Sequence, residues 1–395
     1  MTLRGVIVCL FELFLIILAL GTEINEFFYV AICVAGLLAF SLFSLIIASL
    51  TLRVDSKINK KSAIREDKIE YTLYLYGVAL IPVVAYLALK TTELEFQHKS
   101  RKRYSFVLLP SFSFEHKFAF EIPTVHVGRW DIGIKKMRFE DVFGLFSFPL
   151  LRLGKRDFAV DLAVMPKIHN LHKMQEALNT GVFGSTSLKS AETGDLLGDS
   201  RLYKEGDSLK RINWKLSART RTMYSRQYEV PQKPKVVIVV DNAVSNGTVS
   251  DMADIICETA ISLSNFFLSH NNMIDIISVR EKANSENKLH KLREYSDIHK
   301  MQYAFSYLKF YKNDLPLRSD MFEEFNISKA DRLYIVSTNP AVEMLSDFID
   351  INKGDKIAKC FVPKTEFSSE LAKFDKVCIH LASVNQIVDA VGEAL

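Results

Sequence analysis

The first residue in this sequence equipped to do chemistry is an acid at the end of an apolar strand. Lys235-Val-Val-Ile-Val-Val-Asp241 is a continuous apolar run that closes on a carboxylate. That is the pattern of a strand covered on both faces. In sheets of this kind ligands sit beyond the carboxyl ends of the strands, so Asp241 is well placed. The other chemically capable residues do not assemble into a reaction. Gly194-Asp and Gly198-Asp lack a following Lys-Ser/Thr and cradle no phosphate. His116, His126, His169, His172, His270 and His290 show neither HExxH nor paired metal-ligand spacing. No nucleophile–base pair can be nominated, so an enzyme is not expected, and an uncharacterised hydrolase stays as an alternative. Cys9, Cys33, Cys257, Cys360 and Cys378 include no CxxC pair. Their scatter argues against a disulfide framework or a zinc site and fits a reducing compartment.

A second chemical feature is local charge. Between Asp199 and Glu229 lie Arg201, Lys204, Lys210, Arg211, Lys215, Arg219, Arg221 and Arg226, opposed only by Asp199, Glu205, Asp207 and Glu229. Gly206-Asp207 reads as a turn, with Asp207 capping the helical stretch that carries Lys210 to Trp214. Arg211 and Arg219 are expected to reach Asp207 or Glu229 in bidentate pairs. Trp214 offers an apolar face. The segment therefore reads as a docking surface for an acidic partner, or as an internal brace between two domains. Contact with anionic lipid is a third reading. Nucleic acid is not expected, because aromatic interleaving is sparse and 50 basic against 46 acidic residues leave a net charge of only +4.

The elements that position these residues begin with a membrane anchor. The chain has 395 residues, 49% of them hydrophobic and concentrated at the N-terminus. Phe27 to Leu52 carries no charge, enough to cross a hydrocarbon core of about 30 Å as a helix. Val6 to Leu20 is apolar except for Glu12, and Gly21-Thr-Glu-Ile-Asn-Glu26 suits a tight turn. A helical hairpin fits better than a cleaved signal peptide, because Glu12 interrupts the first run and a second follows at once. A charge within a span costs about 3 kcal/mol. Glu12 reads either as a polar contact with a partner helix or as a carboxyl that is protonated or reaches the interface. Arg4 precedes the hairpin, while Arg53, Lys57, Lys60, Lys61 and Arg65 follow it. Its turn is acidic, so both termini are expected in the cytoplasm.

A third apolar run, Tyr71 to Leu89, holds Gly77, Pro82 and four tyrosines and has basic flanks on both sides. It reads as two strands broken near Gly77–Pro82 rather than a span. Alternation in Phe114–Ile122 and Phe158–Val164 continues a small β-sandwich or barrel. Asn179 to Ser200 is polar and rich in Gly, Ser and Thr, and reads as a linker or long loop. After Pro234, continuous apolar strands alternate with helices, among them one at about Ile298–Tyr311 and a last one from Val384, which means a mainly parallel sheet covered on both faces. The expected organisation is a transmembrane hairpin (1–53), a basic cytoplasmic linker (54–68), a β-domain (69–168), a linker with the charged segment (169–232) and an α/β domain (233–395).

The stretch Asp199-Ser-Arg201-Leu-Tyr203-Lys-Glu-Gly206-Asp207 through Arg211, Trp214, Ser217 and Arg219 to Glu229, followed by the strand to Asp241, resembles the signature of the bacterial family called domain of unknown function 58. Gly128-Arg129-Trp130-Asp-Ile-Gly133 and Asp141-Val-Phe-Gly144-Leu-Phe146 resemble its second signature, with Val142 where proline is usual. The resemblance implies a doubly wound von Willebrand factor A-like α/β domain. It also implies MoxR-type AAA+ ATPases and other membrane proteins as partners, in assembly or envelope functions. Such domains can hold Mg²⁺ through an Asp-x-Ser-x-Ser loop of hard oxygen ligands. Here that loop is Asp241-Asn-Ala243-Val-Ser245, and Ala243 supplies no oxygen. The later strand ends Ser337-Thr338-Asn339 without an acid. No metal cofactor is expected, a metal-dependent binding module is the runner-up, and Asp241 is expected to cap the loop that follows it. The leading expectation is a membrane-anchored adaptor that faces the cytoplasm.

Overall fold

A computed structural model describes residues 2–22, 25–93, 99–149, 160–171, 188–191, 196–205, 207–231, 233–280, 287–325, 327, 330–352, 357–363, 371–381, 383 and 386–388. Two compact units are present: Met1–Met165 with Phe305–Tyr307, and Pro166–Ala304 with Leu308–Leu395.

The first unit opens with two helices, Leu3–Thr22 and Asn25–Thr51. Both are long and apolar enough to cross a membrane. Leu10, Phe14, Ile17, Phe28, Val30, Ile32 and Leu37 are exposed on them. Glu12 points inward. It is 7% exposed, and neither carboxyl oxygen has a hydrogen-bond partner among the described residues. The second helix also packs against the strands along part of its length. Ser41, Ser44, Leu45, Ala48 and Ser49 are buried, and Leu45, Ala48 and Leu52 join the core of the following strands. The Ile81 N–H donates to Ser44 Oγ (3.2 Å). Small and hydroxylated residues on this face let the helix approach strand backbone closely.

Two sheets share that core. One orders Arg53–Ile58, Lys68–Ala79 and Ser111–Pro123. The other orders Ser62–Ile64, Val160–Met165, Gly128–Asp141, Val83–Glu93 and Lys99–Leu108, with Ser147–Pro149 paired to Gly128–Asp141. The third apolar run is indeed two strands. They lie in different sheets, and alternate residues (Ile69, Tyr71, Leu73, Leu75; Val83, Ala85, Leu87, Leu89) enter the same core. The basic stretch after the second helix is not a linker. Arg53–Ile58 pairs antiparallel with Lys68–Ala79, and Ser62–Ile64 pairs parallel with Val160–Met165. Its period-2 pattern turns Val54 and Ala63 inward and the charges outward.

The second unit is built on a six-stranded sheet. Its order is Lys288–Leu292, Met273–Val279, Lys235–Asp241, Arg332–Val336, Ile357–Pro363 and Cys378–Leu381. All pairs are parallel except the first, an antiparallel edge that the sequence reading missed. Helix Val249–Ser269 is buried along most of its length, and its Phe267 ring packs tilted against Tyr334. Helix Val342–Ile351 turns Met344, Leu345 and Phe348 into the core shared with Val237, Val239, Leu333 and Ile335. Helix Asp297–Phe305 is shorter than the expected Ile298–Tyr311, because Tyr311–Lys312 pairs parallel with Ala243–Val244. The helix expected from Val384 lies largely outside the described residues.

The polar stretch read as a linker is also corrected. Residues 179–187 lie outside the described residues, but Leu188–Ala191 and Leu196–Leu202 are strands on either side of Tyr224–Pro231. Ladder hydrogen bonds hold a strand whose composition carries no apolar alternation.

Candidate functional site

Chemistry-bearing residues converge at the carboxyl end of the central strand, where register brings three elements together. Asp241 closes strand Lys235–Asp241 and pairs with Val279, so Arg280 follows at once on the neighbouring strand. On the other side Val240 pairs with Val336, and Ser337 follows. Asp241 is 0% exposed. Its Oδ1 accepts from the Ala243 N–H (3.0 Å) and from Arg280 Nε (2.9 Å). Its Oδ2 accepts from Arg280 Nη2 and from Ser337 Oγ (2.6 Å). The Ala243 bond is the capping role expected of Asp241. Ser245 is used otherwise. Its N–H donates to Thr338 Oγ1 (3.0 Å), and its Oγ lies 3.4 Å from the Thr338 carbonyl and hydroxyl oxygens. Arg280 was missed in the sequence, although a cation one residue past a neighbouring parallel strand was a signal available there.

The basic segment folds as a small module, and its signature residues divide by burial. Arg201 Nη2 donates to Asp207 Oδ1 (2.8 Å), and the Lys204 N–H donates to Asp207 Oδ2 (3.1 Å). The Lys204 N–H holds the Asp207 carboxyl below its usual pKa. Partial desolvation opposes this, and the Arg201 and Arg211 charges add to it. Asp207 therefore does not cap the helical stretch. Ser208 precedes the 3₁₀ turn Leu209–Arg211, and Asn213 caps helix Trp214–Thr220 through the Leu216 N–H (3.3 Å). A carboxylate already committed to Arg201 and Lys204 also leaves the expected Arg211 and Arg219 pairs without it. Arg219 is exposed and Arg211 half-buried. Ser217 Oγ accepts from the Tyr224 N–H (2.9 Å), and the Tyr203 N–H donates to the Met223 carbonyl (2.8 Å). Glu229 pairs through its backbone with Ser190 and Leu196, and Gly206 lies outside the described residues. Against this latched interior, Trp214 is 62% exposed, and Leu202, Leu209 and Met223 are exposed with it.

Of the second signature, the stretch Asp141–Phe146 lies where the N-terminal helices meet the β unit. Asp141, 1% exposed, accepts from the Phe146 N–H (2.7 Å) through Oδ1 and from Ser41 Oγ (3.3 Å) through Oδ2. The Thr2 N–H donates to the Leu145 carbonyl (3.1 Å), and the Thr2 hydroxyl lies against the Gly144 and Leu145 carbonyls. Gly144 takes φ +66°, a left-handed turn that glycine adopts without strain. Trp130 is buried with Nε1 donating to the His126 carbonyl (3.1 Å), Arg129 pairs with Asp161 (2.9 Å), and Gly128 opens the strand at φ +136°. The loop 141–146 thus binds both N-terminal helices to the β unit. Elsewhere His169 Nε2 meets the fully buried Glu258 at 2.6 Å, clasping residue 169 to helix Val249–Ser269.

Residues 199–287 match the family model described as "Protein of unknown function DUF58". No curated protein matches the chain. Among solved structures, beta-glucosidase from Listeria innocua aligns at 8% identity and TM-score 0.20, over 29% of this chain and 16% of that one. A CARDB domain from Pyrococcus furiosus aligns at 13% identity and TM-score 0.19, over 29% of this chain and 89% of that one. Sporulation control protein Spo0M from Bacillus subtilis aligns at 16% identity and TM-score 0.18, over 36% of this chain and 60% of that one.

Proposed function

We propose that this chain, which belongs to the DUF58 family of proteins of unknown function through residues 199–287, is a membrane-anchored docking protein for an acidic protein partner. The observation that carries the reading is the exposure of Trp214 at 62% within a module whose surplus charge is positive. A ring that packed into the module's own interior would be buried. Exposed aromatic and arginine side chains are the residues that anchor interfaces, and basic neighbours favour an acidic surface. The resemblance in the sequence offers a MoxR-type AAA+ ATPase as the partner and envelope-linked assembly as the setting, with both termini in the cytoplasm. The α/β unit is read as von Willebrand factor A-like, supported by its central strand ending in Asp241 with Ser245 in the loop beyond.

The test compares Trp214→Ala and Arg219→Glu in the full chain, extracted from membranes in mild detergent. Surface substitutions change stability by roughly 0.5 kcal/mol or less, so melting should move by about 2 °C at most. Recovery of an AAA+ ATPase, identified by mass spectrometry, should fall about tenfold for both, most at low salt where surface charge is least screened. Unchanged recovery in both variants, or a large loss of melting temperature in either, refutes the docking reading.

A further inference from the structure

We infer that Arg280 is the resident cation of the strand-end cluster, a guanidinium built in where this set of oxygen ligands would otherwise hold a divalent metal ion. The inference concerns the carboxyl end of the central strand and is independent of the docking face.

The donor chemistry comes first. Asp241, Ser245, Ser337 and Thr338 bring a carboxylate and three hydroxyls to one end of the parallel sheet. Hard oxygen donors of this kind suit Mg²⁺. An ionised carboxylate at 0% exposure also needs a counter-charge. Arg280 supplies it. Nε and Nη2 bond the two carboxylate oxygens separately, the fork geometry that guanidinium matches and a lysine does not.

The remaining valences are taken. Ala243 N–H and Ser337 Oγ complete the shell of Asp241. Ser245 and Thr338 are bonded to each other, and Thr338 Oγ1 also bonds the Ala243 carbonyl (3.2 Å). At the position after Asn242, Ala243 offers only its backbone. Mg²⁺ demands near-octahedral oxygen contacts, and it would have to displace these bonds and a cation of its own sign.

Arg280 is also held from behind. Its Nη1 donates to the Leu315 carbonyl (2.6 Å), and its side chain is 10% exposed. Its backbone sits at φ +56°, a conformation uncommon for a long side chain, which persists where the surroundings over-determine it. The Arg280 N–H reaches Asn287 Oδ1 (3.4 Å). A partner carboxylate therefore has no metal to bridge at this strand end.

The experiment uses the full chain in detergent, with Mn²⁺ as a paramagnetic probe and Mg²⁺ in thermal melts. The wild-type protein should bind no Mn²⁺, and its melting temperature should be the same in millimolar Mg²⁺ and in chelator. Arg280→Ala should melt lower and regain roughly 5 °C or more in millimolar Mg²⁺. It should bind one Mn²⁺, and Asp241→Asn should abolish that binding. Stoichiometric Mn²⁺ on the wild-type protein that depends on Asp241 overturns the inference. So does an Arg280→Ala protein that melts like the wild type, or one that melts lower and ignores both ions. If Arg280→Ala does not fold, Arg280→Met combined with Asp241→Asn decides. Recovery of a cooperative melt supports charge neutralisation as the role of Arg280, and failure to recover overturns it.

Discussion

Asp141→Ala should loosen the junction between the anchor and the β unit by an amount the structure allows to be worked out. Asp141 is 1% exposed, so no water replaces its bonds readily. Its removal leaves the Phe146 N–H, bonded at 2.7 Å, without an acceptor in a buried turn. An orphaned buried donor costs about 1–3 kcal/mol. Ser41 Oγ, 4% exposed and bonded at 3.3 Å, loses a longer and weaker partner worth about 0.5–1 kcal/mol. Relief of the buried charge offsets part of this. A net loss of about 2–3 kcal/mol corresponds to roughly 5–10 °C in a unit of this size. Asp141→Asn keeps an amide oxygen for Phe146 and should lose less than half as much. The assay is thermal unfolding of the full chain in detergent, with limited proteolysis of loop 141–146 alongside, because two units need not melt together. If Asp141→Ala melts within 2 °C of the wild type and its loop stays protected (~2 °C being about 0.5 kcal/mol), the loop does not hold the helices and the reasoning fails.

Two further outcomes are expected. With Cys9 and Cys33 replaced by serine, an impermeant thiol reagent on intact cells should label Thr22→Cys and spare Arg101→Cys; the reverse pattern inverts the topology. The Asp297 carboxyl, bonded first by the Arg293 N–H and also by Lys300 and the Glu294 N–H, is held down to about 2. A depressed folded value means stability present above the unfolded value near 4 and lost as pH falls toward 2. Asp297→Asn should therefore flatten the acid limb of melting between about pH 4 and pH 2, and an unchanged limb would show that the bonds around Asp297 carry no linkage.

The parts legible in the sequence are those whose signal is local. The uncharged run Phe27–Leu52, the break at Gly77–Pro82 and the apolar strand ending in Asp241 each announce themselves within a short window. Hydrophobic periodicity and punctuation act over the same few residues that form an element. Stretches misread as linkers lacked such a window. Arg53–Ile58 hides its alternation among charges, and Leu188–Ala191 is a strand because Tyr224–Pro231 lies beside it. Strand identity there comes from a partner far along the chain.

The candidate site divides in the same way. Residue order alone told that Asp241 would end a buried strand, that Ala243 withholds an oxygen, and that residues 199–229 carry surplus positive charge. It also bounded the chemistry by the motifs it lacks. Only the tertiary structure decided that Arg280 meets Asp241, that Asp207 goes to Arg201, that Trp214 faces outward and that Asp141 reaches back to Ser41. Those pairings join residues separated along the chain by strand register, and register is set by how whole faces bury. A residue's type states which bonds it can make, and the packing of the sheet decides which partner stands within reach.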